Sequence, residues 1–334
     1  MNRSALLSLV FLAAFLFSCS DDDDAVEIIQ YHWPVWSPSG ESILSGYEYF
    51  RGDPNGLRTP IREVAVKDAS SEEERFLQAA DGIDNARYWV LPGESIFATN
   101  AQGLQFYSLN GGLLGTYTTA VRGISPQFMS SRDDTSFYWG LVTGDNLVIG
   151  YAGYTSAPWM PTSEVVLHDT TLDASLLDLV ALSSGRFAYR LNNGSVLVQH
   201  EDGSHVRTLL NISSRSDHPM NERLVYFKQD VSEYLYYLTP QGLSRAMIET
   251  GSTSVLTAGG KDEIIAFDAN AVTNKALFVS GSGEVWLTSP DGIPVQRLLS
   301  EHAMASFSPD GTTIAAVTHS NRYTSSLTIY KFGI

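Results

Sequence analysis

Three segments of the chain share one spacing, and this repeat limits the fold more than any other feature. In each segment an aromatic residue lies four positions before a glycine, and an isoleucine lies three positions after it: Trp36 to Ile43, Trp89 to Ile96 and Phe307 to Ile314. The proline and glycine within each segment suit a tight turn, because proline presets φ and glycine accepts a positive φ. The residues after the turn alternate or run apolar, as a strand does. The repeat therefore predicts a strand, a turn and a second strand in each unit.

A second module has a different spacing. In four places an apolar strand residue lies seven positions before a turn glycine: Leu104 to Gly111, Val196 to Gly203, Leu235 to Gly242 and Val285 to Gly292. Each has the form of a β-hairpin. We interpret the first module as strands one and two of a repeating unit, and the second module as strands three and four.

The distance between the first and last repeats sets the number of units. Trp36 and Phe307 are separated by about six steps of about 45 residues. Further units are expected to start at Trp89, Phe128, near Leu182, Met220 and Phe267.

We predict an all-β fold, a single β-propeller of seven four-stranded blades. Six or eight blades remain alternatives, because Phe137–Val142 and Asn146–Tyr151 form an extra apparent hairpin in the third unit. An array of two-sheet sandwiches is the other alternative. The N-terminal strand Val26–Tyr31 is expected to pair with the blade that contains Ile329, which closes the ring and removes exposed edges.

Two segments near the C-terminus point to a family. Phe307-Ser-Pro-Asp-Gly311 and the Ser-Pro-Asp-Gly that ends at Gly292 resemble the repeats of TolB-like, WD-repeat-like propellers. This resemblance implies a periplasmic interaction module. Family likeness is an analogy for function, since propellers host many activities.

The N-terminus resembles the signal of a bacterial lipoprotein. An apolar stretch of about 13 residues, against the roughly 20 that span a bilayer, ends just before Cys19, the only cysteine. A basic start, a short apolar core and a small residue before the cut are typical of secretion signals. We therefore divide the chain into a signal peptide (1–18), a lipidated Cys19 with an acidic tether (19–25) and a propeller domain (26–334). The resemblance implies an outer-membrane lipoprotein, facing the cell surface or the periplasm and attached to the membrane through Cys19.

The charge of the chain restricts its partners. It has 21 Lys and Arg against 37 Asp and Glu, a formal net charge of −16. Such a surface repels phosphate backbones, so we expect no nucleic-acid binding. We expect a monomer.

A search for catalytic motifs identifies no reaction. The sequence has no Gly-x-Ser-x-Gly elbow, no phosphate-binding glycine loop and no calcium loop of the Asp-x-Asp-x-Asp-Gly type. His200 and His205 flank a predicted hairpin turn, where they cannot act like two zinc ligands on one helix face. We therefore predict no cofactor and no metal, although a propeller can gather distant histidines at its axis.

Aromatic residues and arginines in predicted loops are the candidate binding residues, because these residue types dominate binding hot spots. We expect them between strands two and three of blades one, three and seven, on one side of the disc. They are Tyr47, Tyr49, Phe50, Arg51, Tyr154, Trp159, Arg322 and Tyr323. The leading hypothesis is a non-enzymatic propeller that binds a protein or glycan at the cell envelope. The alternative is a glycosidase or lyase with its active site at the mouth of the axial channel.

Overall fold

The chain folds into strands grouped in seven sheets. The computed structural model describes residues 26–332 apart from 53–60, 78–84, 91–94, 101–102, 109–111, 120–127, 134–135, 144–145, 155–160, 172–173, 213–222, 259–263, 290–293 and 321–323. Within these ranges it contains 27 strands. No helix in this part of the chain is long and apolar enough to cross a membrane.

The strands are numbered in chain order, and each sheet is built from consecutive strands. Sheet 1 contains β1 (Val26–Trp36), β2 (Ser42–Gly52), β3 (Ile61–Asp68) and β4 (Glu74–Leu77); sheet 2 contains β5 (Asn85–Val90), β6 (Ser95–Asn100), β7 (Gly103–Tyr107) and β8 (Leu113–Tyr117). Sheet 3 contains β9 (Phe128–Asp133), β10 (Ser136–Thr143), β11 (Asn146–Tyr154) and β12 (Pro161–Thr171); sheet 4 contains β13 (Leu176–Leu182), β14 (Arg186–Leu191), β15 (Ser195–His200) and β16 (Arg207–Asn211). Sheet 5 contains β17 (Val225–Gln229), β18 (Ser232–Thr239), β19 (Gly242–Met247) and β20 (Thr253–Ala258); sheet 6 contains β21 (Ile264–Asn270), β22 (Lys275–Ser280), β23 (Val285–Thr288) and β24 (Pro294–Leu299). Sheet 7 contains β25 (His302–Phe307), β26 (Thr313–His319) and β27 (Ser325–Lys331).

The sheets follow one another in a continuous order of contacts. Within each sheet neighbouring strands are antiparallel and lie in chain order. The first strand of every sheet contacts the first strand of the next sheet, and β25 of sheet 7 contacts β1 of sheet 1. The first strands are therefore the inner strands, and the later strands of each sheet lie progressively further out.

The repeated turn recognised in the sequence has the same hydrogen bonds at both ends of the chain. The Ser37 N–H donates to the Ser42 carbonyl at 2.8 Å, and the Ser308 N–H donates to the Thr313 carbonyl at 2.8 Å. Each serine Oγ then accepts the N–H of that same residue, at 3.1 Å and 3.0 Å. The glycine of each turn has a positive φ, which is the conformation that favours glycine. The structure confirms that these segments are one repeating turn.

The hydrophobic core lies between the sheets. Clusters of buried side chains combine residues from sheets 2 and 3, 3 and 4, 4 and 5, 5 and 6, 6 and 7, and 7 and 1. Each of sheets 3 to 7 thus buries apolar side chains against both of its neighbours. This explains strands such as Thr313–His319, in which four successive residues are buried.

Aspartates on inner strands join neighbouring sheets. Asp178 of β13 accepts the N–H of Leu224, which precedes β17, at 2.6 Å, and Asp268 of β21 accepts the Phe307 N–H of β25 at 2.9 Å. Burial raises the pKa of the Asp268 carboxyl, and the Arg223 charge and the backbone N–H bonds oppose that shift. A carboxylate in this position satisfies a backbone donor that the next sheet leaves unpaired.

The N-terminal strand differs from its predicted role. Val26–Tyr31 pairs along its length with β2 as part of sheet 1, and its backbone contact with sheet 7 is one parallel bridge between Ile29 and Thr324. The prediction was that this segment pairs with the blade that contains Ile329; it belongs instead to sheet 1, so as the missing outer strand of the last sheet it was wrong. The start of β1 nevertheless lies against the start of β27, since Ile29 bridges Thr324 and the Tyr31 N–H donates to Ser325.

Side chains instead join sheets 7 and 1. The Tyr31 N–H donates to the Ser325 Oγ at 2.7 Å, and the buried Lys67 Nζ donates to the Leu327 carbonyl at 2.8 Å. Lys67 also lies 3.5 Å from a carboxylate oxygen of Glu74, whose other oxygen accepts the Tyr31 hydroxyl at 2.7 Å. We call these four side chains, Tyr31, Lys67, Glu74 and Ser325, the clasp.

Three details of the predicted repeat were also wrong. Phe137–Val142 and Asn146–Tyr151 are the second and third strands of sheet 3, and not an extra hairpin. Leu235 and Gly242 lie on strands two and three of sheet 5, because a strand followed by a turn glycine also occurs at that hairpin. Phe128 begins its strand, whereas Trp36 and Phe307 end theirs; Met220 lies outside the described residues.

The clasp allows a test of the boundary between sheets 7 and 1. We call the boundary between two neighbouring sheets a seam. Lys67→Met keeps the aliphatic stem but leaves the Leu327 carbonyl and the Glu74 carboxylate without their cation. Loss of such buried partners costs about 1–3 kcal/mol, so the free energy of unfolding measured with urea should fall by that amount. Lys228→Met, at an exposed position of β17, is the control. Equal losses in both variants would contradict a role for the clasp.

Candidate functional site

The topology gives the molecule two distinct end faces. Strand direction alternates within each sheet, so connections from strand two to three emerge with the connections that lead to the next sheet; we call this face A. Connections from strand one to two and from three to four emerge at the opposite end, face B. All the predicted binding loops were assigned to face A.

The first group of predicted binding residues lies on a strand. Tyr47, Tyr49, Phe50 and Arg51 belong to β2 and pair with β1, so their assignment to a loop was wrong. The Tyr47 ring packs edge-on against Tyr31, with centroids 5.3 Å apart, and lies 4.5 Å from the Phe76 ring. Tyr47 is therefore a packing residue of sheet 1. The aromatic residues up to Phe50 are explained by a long strand, β2, which pairs with β1 on one side and β3 on the other.

The other predicted binding residues fall in different places. Tyr154 ends β11 at the end of the strand that lies on face B, so the prediction that Tyr154 lies on face A was wrong. The reason is that the supposed extra hairpin occupies strands two and three. The side chains of Arg51 and Tyr154, and all of Trp159, Arg322, Tyr323 and Cys19, lie outside the described residues.

Face A carries a cleft of about 630 Å³ between sheets 6 and 7. Its lining combines the starts of two inner strands, the turn between β22 and β23, and the end of β26. The described lining residues are Ile265, Gly281, Ser282, Gly283, Glu301, His302, Met304, His319 and Ser320. Three titratable side chains, Glu301, His302 and His319, thus converge on one cleft near the inner strands.

His302 is the buried member of this group. Its side chain begins β25 and is 6% exposed. The imidazole Nε2 lies 3.0 Å from the Tyr330 hydroxyl, and the two rings meet edge to face with centroids 5.3 Å apart. Nδ1 is buried and makes no hydrogen bond of normal geometry within the described residues. Burial lowers the pKa of His302 below its ordinary value of 6.5, with the Ser300 carbonyl and the Glu301 carboxylate opposing the shift.

The backbone beside His302 is strained and closely packed. Glu301 has a φ of +68°, a conformation that few residues other than glycine adopt. The His302 N–H donates to the Gly283 carbonyl at 2.9 Å. Gly283 has a φ of +82°, and a Cβ at this position would lie 3.2 Å from the Glu301 Cα. Strain of this kind concentrates at functional sites, which supports the cleft as the candidate site.

A second cleft of about 630 Å³ lies on face B between sheets 7 and 1, and its acids have structural roles. Asp68 accepts the N–H groups of Ser70 and Ser71, and Asp310 accepts the Ser308 hydroxyl and the Thr312 N–H. These hydrogen bonds lower the pKa of both carboxyls. Ionised acids that hold turns are poor proton donors.

Face B also contains buried ion clusters between sheets. Glu201 binds the Arg132 guanidinium through two oxygens and accepts the Tyr138 hydroxyl. Glu233 pairs with Arg186 through one carboxylate oxygen and accepts the hydroxyls of Tyr226 and Ser183 through the other. Their charges are fully partnered, which makes them structural.

No close group of three or more His, Cys, Asp or Glu side chains that could hold a metal ion occurs in the described part of the chain. His200 and His205 flank the turn between β15 and β16, as the sequence predicted, with ring centroids 5.6 Å apart.

Comparison with known proteins shows the fold. No protein-family model and no curated protein matches the chain. An oligogalacturonate lyase in complex with manganese is similar over 93% of this chain and 91% of its own, with a TM-score of 0.60 and 10% identity. The oligogalacturonate lyase of Vibrio parahaemolyticus is similar over 92% and 91%, with a TM-score of 0.58 and 11% identity. Dihydro-heme d1 dehydrogenase NirN is similar over 90% of this chain and 64% of its own, with a TM-score of 0.56 and 13% identity. The fold is that of β-propellers.

These similarities correct the leading functional hypothesis. Two of these structures are lyases and another is a dehydrogenase, whereas the leading hypothesis was a non-enzymatic binding module. The residues of the candidate site were missed in the sequence because the scattered positions of His302, Glu301 and His319 have no characteristic spacing. Only the Ser280–Glu284 segment, with its two glycines, signalled a tight turn there.

The buried imidazole predicts a pH dependence of stability. The folded protein holds His302 neutral, whereas the unfolded chain takes up a proton below its ordinary pKa of 6.5. Stability should therefore fall as the pH decreases from 6.5 towards the lowered pKa, and level off below it. His302→Gln removes this contribution, so the difference in unfolding free energy between the two proteins should shrink as the pH falls.

Urea unfolding between about pH 5 and pH 8 measures this difference. His319→Gln removes an exposed imidazole from the same cleft and is the matched control. A wild-type advantage over His302→Gln that is constant with pH would show that His302 is not held neutral.

Proposed function

We propose that this protein is a carbohydrate-active enzyme that transfers protons in the face A cleft between sheets 6 and 7. The observation that carries the proposal is the convergence of Glu301, His302 and His319 on one cleft beside strained backbone. A cleft that combines a buried histidine of lowered pKa with exposed titratable side chains is typical of active sites. Glu301 and His319 are exposed and can touch a substrate, while His302 lies behind them.

The composition of the cleft favours elimination over hydrolysis. Glycoside hydrolysis ordinarily uses two carboxyl groups on either side of the scissile bond. Among the described lining residues, Glu301 is the one carboxylate. Imidazole is a suitable base near neutral pH, so we assign the lyase reaction to this site.

The proposed step balances without an oxidant or reductant. His319 takes the proton from the carbon next to the sugar carboxylate, and the electron pair forms a carbon–carbon double bond. The bond from the neighbouring carbon to the glycosidic oxygen breaks, and that oxygen receives a proton from the carboxyl group of Glu301. Ser282 and Ser320 offer hydroxyl groups to the sugar.

The proposed substrate is a short uronate oligosaccharide. Two proteins of the same fold are named oligogalacturonate lyases, which supports this class. Arg322 and Tyr323, which follow Ser320 and Asn321 in the sequence, stay predicted binding residues, and an arginine suits a sugar carboxylate. The net charge of −16 opposes long polyanions.

We further propose that the seven sheets are the blades of one closed propeller. The order of contacts among inner strands and the clasp between sheets 7 and 1 support this proposal. The lyases named above share the fold over nine-tenths of both chains.

We also propose that the enzyme is a lipoprotein of the bacterial outer membrane, anchored through Cys19. The apolar stretch that ends at the only cysteine supports this, and so does the Asp21–Asp24 tether. Two or more acyl chains would hold a soluble domain at the membrane durably.

The proposed activity predicts a salt effect. Incubation with galacturonate oligosaccharides should give unsaturated products, detected by their ultraviolet absorbance. Screening weakens the repulsion between the acidic protein and an anionic substrate, so kcat/KM should rise with moderate salt. His319→Gln should lower kcat by about 100-fold or more, the usual contribution of a general base.

His205→Gln, an exposed histidine in the turn between β15 and β16, is the matched control and should keep full activity. Neutral oligosaccharides serve as the substrate control. Products with new reducing ends but no double bond would assign hydrolysis instead. Full activity of His319→Gln would exclude the proposed base.

The proposed anchor predicts the mature N-terminus. Mass spectrometry of the protein isolated from bacterial membranes should find a lipidated Cys19 as the first residue. Cys19→Ser should release the protein from the membrane fraction. Cleavage at another position, or an unmodified Cys19, would exclude this anchor.

A further inference from the structure

We infer that Tyr330 is a positioning residue for the face A cleft, acting through His302; this role rests on the function proposed above. Tyr330 belongs to β27, the third strand of sheet 7, and is absent from the described lining of the cleft. Its hydroxyl lies 3.0 Å from Nε2 of His302, which does line the cleft.

The pair fixes the plane of the imidazole. A hydrogen bond holds Nε2, and the edge-to-face contact between the two rings limits rotation of the His302 side chain. Nδ1 makes no comparable bond within the described residues. Tyr330 is therefore the side-chain partner that orients the ring, and its hydroxyl contact at Nε2 acts together with the Ser300 carbonyl on the balance between the two tautomers.

The fixed imidazole in turn holds Glu301. His302 is anchored at its side chain by Tyr330 and at its backbone by the Gly283 carbonyl. Glu301 precedes His302 and has a left-handed φ. This conformation is held on one side by the anchored His302 and on the other by the closely packed Gly283. Loss of the side-chain anchor should let the Glu301–His302 backbone relax and move the exposed carboxyl group.

The same chemistry elsewhere in the molecule provides a control. The Tyr226 hydroxyl also makes a buried hydrogen bond between side chains, but its partner is Glu233 in a face B cluster. Tyr330→Phe and Tyr226→Phe therefore each remove one hydroxyl from a partly buried side-chain hydrogen bond within a sheet. Only the first change removes a partner of a cleft residue.

Ring-nitrogen NMR of the histidines in the full chain provides a readout that does not need a substrate. The wild-type His302 signals should indicate one dominant tautomer, and Tyr330→Phe should give a mixture of tautomers together with a shifted Glu301 amide signal. Tyr226→Phe should leave both signals unchanged. Identical His302 spectra in the wild type and Tyr330→Phe would overturn the inference, whether or not the protein is a lyase.

Kinetics on galacturonate oligosaccharides add a second readout. Misplaced catalytic groups reduce turnover more than binding, so Tyr330→Phe should lower kcat by roughly tenfold and leave KM within about twofold. Gly283→Ala should act in the same direction, whereas Gly203→Ala, with a similar φ of +75° and open space around it, should keep full activity. A pure rise in KM would overturn the positioning role. An inactive wild type with the expected NMR changes would refute the proposed reaction and leave the Tyr330–His302 coupling intact.

Discussion

Packing between sheets is the interaction on which the rest of this structure depends. The buried clusters of the described residues join neighbouring sheets, so a single sheet would expose apolar side chains on both faces. At the seam between sheets 7 and 1 the two ends of the chain must meet without a shared outer strand. The clasp of Tyr31, Lys67, Glu74 and Ser325 makes that connection through side chains and backbone carbonyls. Buried apolar residues of sheets 7 and 1, among them Tyr31, pack at the same junction.

The two faces differ in role: the charged groups described on face B stabilise the fold, whereas those in the face A cleft are available for the proposed chemistry. On face B, Glu201 and Glu233 each bind an arginine and a tyrosine from the same seam, so removal of one partner would leave a buried charge. Asp68 and Asp310 on face B accept hydrogen bonds that hold turns. On face A the cleft has two exposed titratable side chains, Glu301 and His319, beside the buried His302. Barrel enzymes separate a stabilising end from a catalytic end in a comparable way.

The sequence was sufficient for the repeat but not for the site. Proline, glycine and serine encode the turn locally, so Trp36 and Phe307 identified the strand ends correctly. Strand length and partner are tertiary properties, which is why Tyr47 was assigned to a loop although it packs between Tyr31 and Phe76. The site joins His302 and His319 with a turn from the preceding sheet. Residues that meet across a seam come from separate chain segments, so they form no motif of fixed spacing. The sequence therefore contained no pattern that predicted this site.

The cleft keeps features that cost stability. A left-handed glutamate costs of the order of 1–3 kcal/mol, and Glu301 has this conformation in the connection between β24 and β25. The apolar packing of sheets 6 and 7 offsets this cost and holds the strained backbone in place. The cleft therefore presents Glu301 and His319 to solvent from a fixed backbone, which is the physical reason to place the proposed chemistry at this seam and not at the fully partnered seams of face B.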